Sequence, residues 1–367
     1  MKYYIIAGEA SGDLHASNLM KELRVLDKDA HFRCWGGDLM KAQGAELVKH
    51  YRDLAFMGFT EVLMNIRTIF KNIDFCKSDI LLNKPDVLIL VDYPGFNLRI
   101  AEFAKASGIK VFYYISPQIW AWKQSRVHKI KKVVDKMFVI LPFEKEFYKR
   151  FDFDVDFVGH PLLDAVSNYA SIKNELSIES AKPIIALLPG SRKQEIATML
   201  PLMLSMQKQY SNYQFVIAGA PSQSEEYYQT FIKDYYVPIV FNQTYQLLQK
   251  AEAAMVTSGT ATLETALFGV PEVVCYKGGA ISFAIAKQLV KVKYISLVNL
   301  IMDKEIVTEL IQNELNETNL KSEVDKLLTP TTRKVMLENY AELKAKLGGS
   351  GASKKAAELM IKYLNEY

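Results

Sequence analysis

Short runs of consecutive apolar residues alternate along this chain with longer amphipathic segments. In the first half, runs rich in Val, Ile, Phe and Tyr fall at Tyr3–Ala7, His31–Trp35, Val87–Val91, Lys110–Ile115, Lys136–Leu141 and Val155–Val158. Several are apolar at successive positions, as strands covered on both faces must be. Strand–helix alternation of this kind predicts βαβ units and a parallel, doubly wound sheet. The second half restarts the pattern with strands at Pro183–Leu188, Gln214–Ala218, Pro238–Phe241, Ala253–Thr257 and Glu272–Cys275, and a helix over Glu195–Lys208. YYIIAGEASGD and PIIALLPGSRKQEI open the two halves with the same device, a strand, a glycine turn and a helix. Between them, polar Tyr169–Lys182 loses the rhythm and marks a boundary between domains 1–168 and 169–349. Leu347-Gly348-Gly349-Ser350-Gly351 reads as a hinge before a final helix near Ser353–Leu364. The expected fold is α/β, two Rossmann-like lobes facing a cleft, with the tail 350–367 crossing back to the N-terminal lobe.

Composition narrows the function classes. The chain has 367 residues, 50% hydrophobic and 23% charged, with a net charge of +4. Those values exclude disorder, and 18 Gly with 12 Pro exclude collagen-like structure. A charge this small and this mixed gives no footprint for nucleic acid. Cys34, Cys76 and Cys275 form no CxxC and pair with no His motif, so neither a disulfide framework nor a zinc site is expected, and a reducing cytosol fits. The N-terminus reads as a first strand rather than a signal peptide. No run approaches the ~18–20 apolar residues of a membrane span, so a soluble body is expected. Lys123–Lys136 is locally basic and reads as a solvated helix face or an anion-binding patch.

Four turns carry candidate chemistry. Gly8-Glu9-Ala10-Ser11-Gly12-Asp13 follows the first strand; its spacing is neither a dinucleotide fingerprint nor a P-loop. Asp13 reads equally as a helix N-cap. Asp92 ends the apolar run Leu88–Val91 at a carboxyl edge, where desolvation would raise its pKa toward that of a useful base. Pro189-Gly190-Ser191-Arg192 and Ser258-Gly259-Thr260 each follow a strand and open a helix, so backbone N–H groups and the helix dipole favour a phosphate there. Arg192 adds a cation able to grip a diphosphate, and Glu264 could accept from a ribose hydroxyl. Capping is the plain alternative for Ser258 and Thr260. Asp152–Asp156 looks like an acidic metal motif, but interleaved Phe151, Phe153, Val155 and Phe157 read as an alternating strand. No metal and no cofactor is expected. His160 reads as a structural, hydrogen-bonding histidine. Along 56–73, Val62, Leu63, Ile66, Ile69, Phe70 and Ile73 share a helical face flanked by Arg67 and Lys71, a core stripe or a lipid-facing one.

In these stretches the chain resembles the lipid-A-disaccharide synthases, glycosyltransferases that join two acylated glucosamines. The matching segments are AGEASGD (7–13), LAFMGFTEVL (54–63), KPDVLILVDYPGFN (84–97), YISPQIWAWKQSRVHKI (114–130), LPFEKEFY (141–148), FVGHPLLDA (157–165), ALLPGSRKQEI (186–196), TSGTATLE (257–264) and YISLVNLIMDKEIVTELIQ (294–312). The resemblance implies a B-type glycosyltransferase fold, with UDP held by the C-terminal lobe. It also implies an inverting reaction of UDP-2,3-diacylglucosamine with 2,3-diacylglucosamine 1-phosphate, giving a β-1,6 disaccharide phosphate and UDP. Under it, Asp92 is the base, Arg192 steadies the leaving diphosphate and Glu9 is the acid of the N-terminal loop. Gly8, Ser11, Gly12, Gly190, Ser191, Ser258, Gly259, Thr260, Glu264, Asn299, Glu305 and Gln312 would line the substrate and nucleotide sites. Val298 departs from a usual proline. The lipid substrate turns the reading of Val62, Leu63, Ile66, Ile69 and Phe70 toward membrane or acyl contact, with Lys123–Lys136 facing an anionic surface. The location implied is the cytoplasmic face of the inner membrane, peripherally bound, with a homodimer left open and no nucleic acid partner. A UDP-sugar 2-epimerase of the same fold, or a non-catalytic two-lobed binding protein, are the rival readings.

Overall fold

The computed structural model describes residues 1–53, 66–170, 175–279 and 292–366. The chain divides into two compact units, Met1–Asp164 with Leu347–Tyr367, and Ala165–Lys346. The first division falls inside the helix Pro161–Ala170 rather than at 168/169, and the second three residues before the expected 349/350. Asp164 explains the first shift. Its carboxylate accepts from the backbone N–H groups of Gly351 and Ser353, at the start of the last helix, Ala352–Asn365. That helix packs against Ala10–Leu26, so the tail returns to the N-terminal unit.

The first unit carries a parallel sheet of β1 (Lys2–Ala7), β2 (His31–Gly36), β3 (Glu46–His50), β4 (Val87–Val91), β5 (Lys110–Tyr114), β6 (Lys136–Val139) and β7 (Asp156–Phe157), in the order β3-β2-β1-β4-β5-β6-β7. The second carries β8 (Ile184–Leu188), β9 (Gln214–Gly219), β10 (Ile239–Phe241), β11 (Ala251–Thr257), β12 (Glu272–Tyr276) and β13 (Glu309–Ile311), in the order β10-β9-β8-β11-β12-β13. Every residue of β4 and β8 is buried, as their unbroken apolar runs require of strands covered by helices on both faces. The core of the second unit closes over β8 with Val216, Leu247, Leu248, Ala254 and Val256.

Two strands were not foreseen, β3 and β13, and both lie at a sheet edge. In β3 the charged Glu46 and Lys49 interrupt the apolar run, and β13 is only three residues long. A third expectation is corrected: along 151–157 only Asp156 and Phe157 pair with a neighbour, because Asp152 adopts a left-handed turn at φ 51°. Helix Ile66–Asn83 is fixed over the first sheet by a buried polar knot. Tyr4 Oη donates to Asp79 (2.7 Å) and accepts from Trp35 Nε1 (2.8 Å), while Arg33 grips both Asp79 oxygens at 2.8 and 2.7 Å.

Candidate active site

β1 and β4 are neighbours, Ala7 beside Val91, yet the chain leaves them in opposite directions, toward β2 and toward β5. In open α/β sheets the carboxyl edge at such a switch point is where ligands bind. Glu9 and Asp92 stand there, one on each loop. Gly8 allows the loops to meet, since a Cβ on it would lie 2.4 Å from the ring of Tyr93. Gly12 sets the helix close to β1, with 3.2 Å between its hypothetical Cβ and that of Ala7. Ser11 is exposed in the first turn. Asp13 caps a helix other than its own: its carboxylate accepts from the N–H groups of Gly37 (2.8 Å), Leu39 (3.1 Å) and Met40 (3.1 Å), at the start of Asp38–Ala42.

Asp92 and Tyr93 are consecutive non-glycine residues in the left-handed region, φ 44° and 47°. Such a conformation costs about 1–3 kcal/mol per residue and persists only where the surroundings impose it. Here they do. The Asp92 N–H donates to the Tyr114 carbonyl (3.2 Å), and its own carbonyl accepts from Asn97 Nδ2 (2.7 Å) and Tyr113 Oη (2.5 Å). Burial, with the charge of Glu9 adding to it, pushes the Asp92 carboxyl up to about 6. The acid is thereby poised to take a proton near neutrality. Asn97 and Tyr113 were missed as supports; the only trace of Asn97 in the sequence is its place in DYPGFN.

The second unit repeats the device. β8 and β11 are neighbours, Leu188 beside Val256, and their chains leave toward β9 and β12. Gly190 turns at φ 101°, and exposed Arg192 is the N-cap of the helix Lys193–Ser205. The donors expected to stand open to a phosphate are occupied. Glu195 Oε2 accepts from the N–H groups of Ser191 (3.1 Å) and Arg192 (3.2 Å), and Arg192 Nη1 lies 3.4 Å from Glu195 Oε1. On the neighbouring turn, Ser258 is not a cap: its Oγ donates to the Ile295 carbonyl (3.2 Å), and Gly259 holds the N-cap position of Thr260–Leu267. Thr260 opens that helix and is exposed. Glu264 accepts from Tyr245 Oη (2.8 Å), and burial raises its pKa.

Asn299 departs most from its expected part. It is fully buried on Leu297–Met302, and its amide is spent within the chain. Nδ2 donates to the Val307 carbonyl (2.8 Å) and to Glu309 (2.9 Å), while Oδ1 accepts from the N–H groups of Ile306 (2.8 Å) and Val307 (3.1 Å). Glu309, unnoticed in the sequence, is the hub: it also accepts from the N–H groups of Ile295 (2.8 Å) and Ser296 (3.0 Å) and from Ser296 Oγ (2.8 Å). Asn299 therefore shapes the loop that presents Glu305, which is exposed. Gln312 Nε2 donates to the Gly278 carbonyl (3.2 Å). Val298 is buried at the second helical position, where no intrahelical partner for the N–H is needed and a proline would bring only its preset φ. His160 is buried, with Nδ1 accepting from the Leu162 N–H (3.2 Å); burial and nearby His15 lower its pKa to about 3.

Among the described residues no three or more His, Cys, Asp or Glu side chains are grouped so as to hold a metal ion. None of the described helices is long and apolar enough to cross a membrane. Of the stripe along 56–73, Val62 and Leu63 lie outside the described residues and Ile66 opens the helix. Ile69 is half-buried and Phe70 is 53% exposed. Ile73, at the end of the stripe, is buried in the core, as are Cys76 and Ile80. The basic segment is also less uniform than expected. Lys129 pairs with Glu102 (2.7 Å), Lys131 donates to the Phe151 carbonyl (3.1 Å) and Lys136 lies 3.9 Å over the Tyr363 ring. Lys123 and Arg126 instead flank Trp122, which is 48% exposed.

The family described as lipid-A-disaccharide synthetase matches residues 3–363. The chain is 40% identical to lipid-A-disaccharide synthase of Syntrophus aciditrophicus, covering 97% of this chain and 96% of the relative. It is 38% identical to that of Geobacter metallireducens, covering 99% and 97%. Among solved structures, UDP-GlcNAc 2-epimerase from Neisseria meningitidis bound to UDP-GlcNAc aligns with a TM-score of 0.68 at 15% identity, over 99% of this chain and 100% of that one. The glycotransferase of kitacinnamycin aligns with a TM-score of 0.67 at 14% identity, over 99% of both. At such identities these structures speak for the fold alone, a two-lobed glycosyltransferase and epimerase architecture. Sequence agreement over nearly the whole chain decides the family: this chain belongs to the lipid-A-disaccharide synthetases.

Proposed function

We propose that the chain joins UDP-2,3-diacylglucosamine to 2,3-diacylglucosamine 1-phosphate through a β-1,6 bond. Asp92 carries the reading: a carboxyl at a switch point, fixed in a strained backbone and shifted to about 6 by burial and by Glu9. In this scheme Asp92 takes the proton of the acceptor 6-hydroxyl as its oxygen attacks the anomeric carbon of the UDP-sugar. The bond from that carbon to the diphosphate oxygen breaks with inversion, and UDP leaves with the bonding electrons. Arg192 and the backbone donors at the start of Lys193–Ser205 and Thr260–Leu267 stabilise the charge growing on the diphosphate. No metal is assigned a part. Incubation with both acylated sugars, with and without chelator, should give equimolar UDP and a disaccharide 1-phosphate by mass in both arms. A C2-inverted sugar without disaccharide would favour the epimerase, and loss of turnover with chelator would bring in a metal.

The same reading places the protein against a lipid surface on the cytoplasmic side of the inner membrane. Helix Ile66–Asn83 leaves Phe70, Phe75, Leu81 and Leu82 exposed, with Arg67 and Lys71 between them. Helix Pro94–Ala106 packs against both this helix and Val127–Val133, so all three cover one face of the first sheet. Aromatic and aliphatic side chains interspersed with cations suit the headgroup boundary of an anionic bilayer. Phe70→Ser with Leu82→Ser should reduce co-sedimentation with anionic vesicles several-fold while the melting temperature stays put. Unchanged sedimentation would remove this helix from the contact.

A further inference from the structure

The turn after β8 is a finished anion cradle with an anion of its own already in it. Two backbone donors of the turn, the N–H groups of Ser191 and Arg192, converge on a single oxygen of Glu195, and the Arg192 guanidinium approaches the other. A capping carboxylate at the third helical position ordinarily reaches one N–H, that of the N-cap. Here it takes one donor more and the cation besides. Gly190 makes the approach possible, because a Cβ on it would lie 2.7 Å from Glu195 Oε2.

One of the two donors, the N–H of Arg192, stays aimed for a reason independent of Glu195. The carbonyl of Ser191, on the far side of the Ser191–Arg192 peptide, accepts from Ser222 Oγ (3.2 Å) and Gln223 Nε2 (3.2 Å). Tyr227 Oη donates to the Lys193 carbonyl (2.8 Å) one residue further on. The peptide plane is thus clamped from behind, with its N–H turned forward. The Glu195 side chain keeps 31% of its surface in water and can rotate away.

From this arrangement we infer that Glu195 is a displaceable internal competitor for the diphosphate, which holds down affinity for the nucleotide and hastens release of the UDP product. A diphosphate and a carboxylate carry like charge and want the same donors, so one leaves as the other arrives. The inference rests on the diphosphate occupying this turn, as proposed above.

Calorimetric titration of the full-length protein with UDP, and separately with inorganic pyrophosphate, tests it. Glu195→Gln keeps an acceptor for the N–H groups but loses the charge, and should tighten both ligands about three- to tenfold, the size of one charge at a helix N-terminus. Glu195→Ala, with no acceptor left, should move affinity the same way. In turnover, the Gln variant should show a lower inhibition constant for UDP. A group that merely stabilised the helix would, on removal, weaken binding or leave it alone, and either result for both variants overturns the inference. Arg192→Ala separates the competitor from the site it acts on: if UDP affinity stays intact, the diphosphate lies elsewhere and both readings fall.

Discussion

At the carboxyl edge of β1 and β4 the charged groups are two acids, Glu9 and Asp92, while at that of β8 and β11 a guanidinium and backbone N–H groups surround the carboxylate of Glu195. The backbone device is the same in both: a parallel pair whose chains diverge, a glycine in each first turn, and a helix starting within a few residues. The charge is opposite. On the acidic side the environment works against ionisation, since burial and like charge raise Asp92. On the cationic side the environment is arranged to hold negative charge, and in the structure it holds Glu195. Topology supplies two equivalent sheet edges, and a handful of side chains makes one a raised carboxyl and the other a cradle of N–H donors around a carboxylate.

The most direct way to break this contrast is to neutralise the acid. Asp92→Asn keeps size and hydrogen bonding but cannot accept a proton, and kcat should fall about 10²–10⁴-fold with UDP binding unchanged. Near-normal turnover would assign the proton to another group. A pH profile sharpens the same point. Because the folded value is raised to about 6, the base form is scarce below that pH and dominant above it. Wild-type kcat/KM should therefore climb roughly tenfold per unit below about 6 and level off above, while Asp92→Asn should lack that step.

The smallest effect concerns a buried acid away from both openings. Glu272 begins β12, at the opposite end of the second sheet from Ser258 and Arg192, and among the described residues neither of its carboxylate oxygens has a hydrogen-bond partner. Burial raises its pKa well above the ordinary value, with Tyr340 and Cys275 nearby. The folded state then binds a proton that the unfolded state gives up above about 4.3, so stability declines as pH rises, by at most about 1.4 kcal/mol per unit. Glu272→Gln should flatten that decline in denaturant titrations between pH 5 and 8 without altering turnover. A slope equal to wild type would mean that water reaches the carboxylate.

Much of this was legible in the residues and much was not, along a physical line. Strands buried on both faces announce themselves, so β4 and β8 follow from LILV and IIALL, whereas β3 mixes charged residues with apolar ones and β13 is only three residues long. Asp92 stands out in the sequence because an acid ending an apolar run is an anomaly with few structural uses. Asp13 and Asn299 are polar residues in equally suggestive places, yet the structure sets them to work on backbone, capping Gly37–Met40 and clamping Val307. Partners 26 residues apart, as for Asp13 and Leu39, or 8 apart across an irregular loop, as for Asn299 and Val307, leave no periodic trace.

What the sequence determined by itself is the class of the protein: the alternation of strand and helix, the restart at Pro183, and segments that place it in its family. Those follow from local burial patterns and short motifs, both of which are properties of neighbouring residues. What only the tertiary structure decided is which donors and acceptors are already satisfied. Whether Glu195 fills the cradle and whether Asn299 faces a ligand or its own loop depend on how their loops turn, and whether Asp13 caps its own helix or another and whether Ile73 lies in lipid or in the core depend on which distant groups arrive beside them. A hydrogen bond is short-ranged and directional, so only the folded chain settles who meets whom.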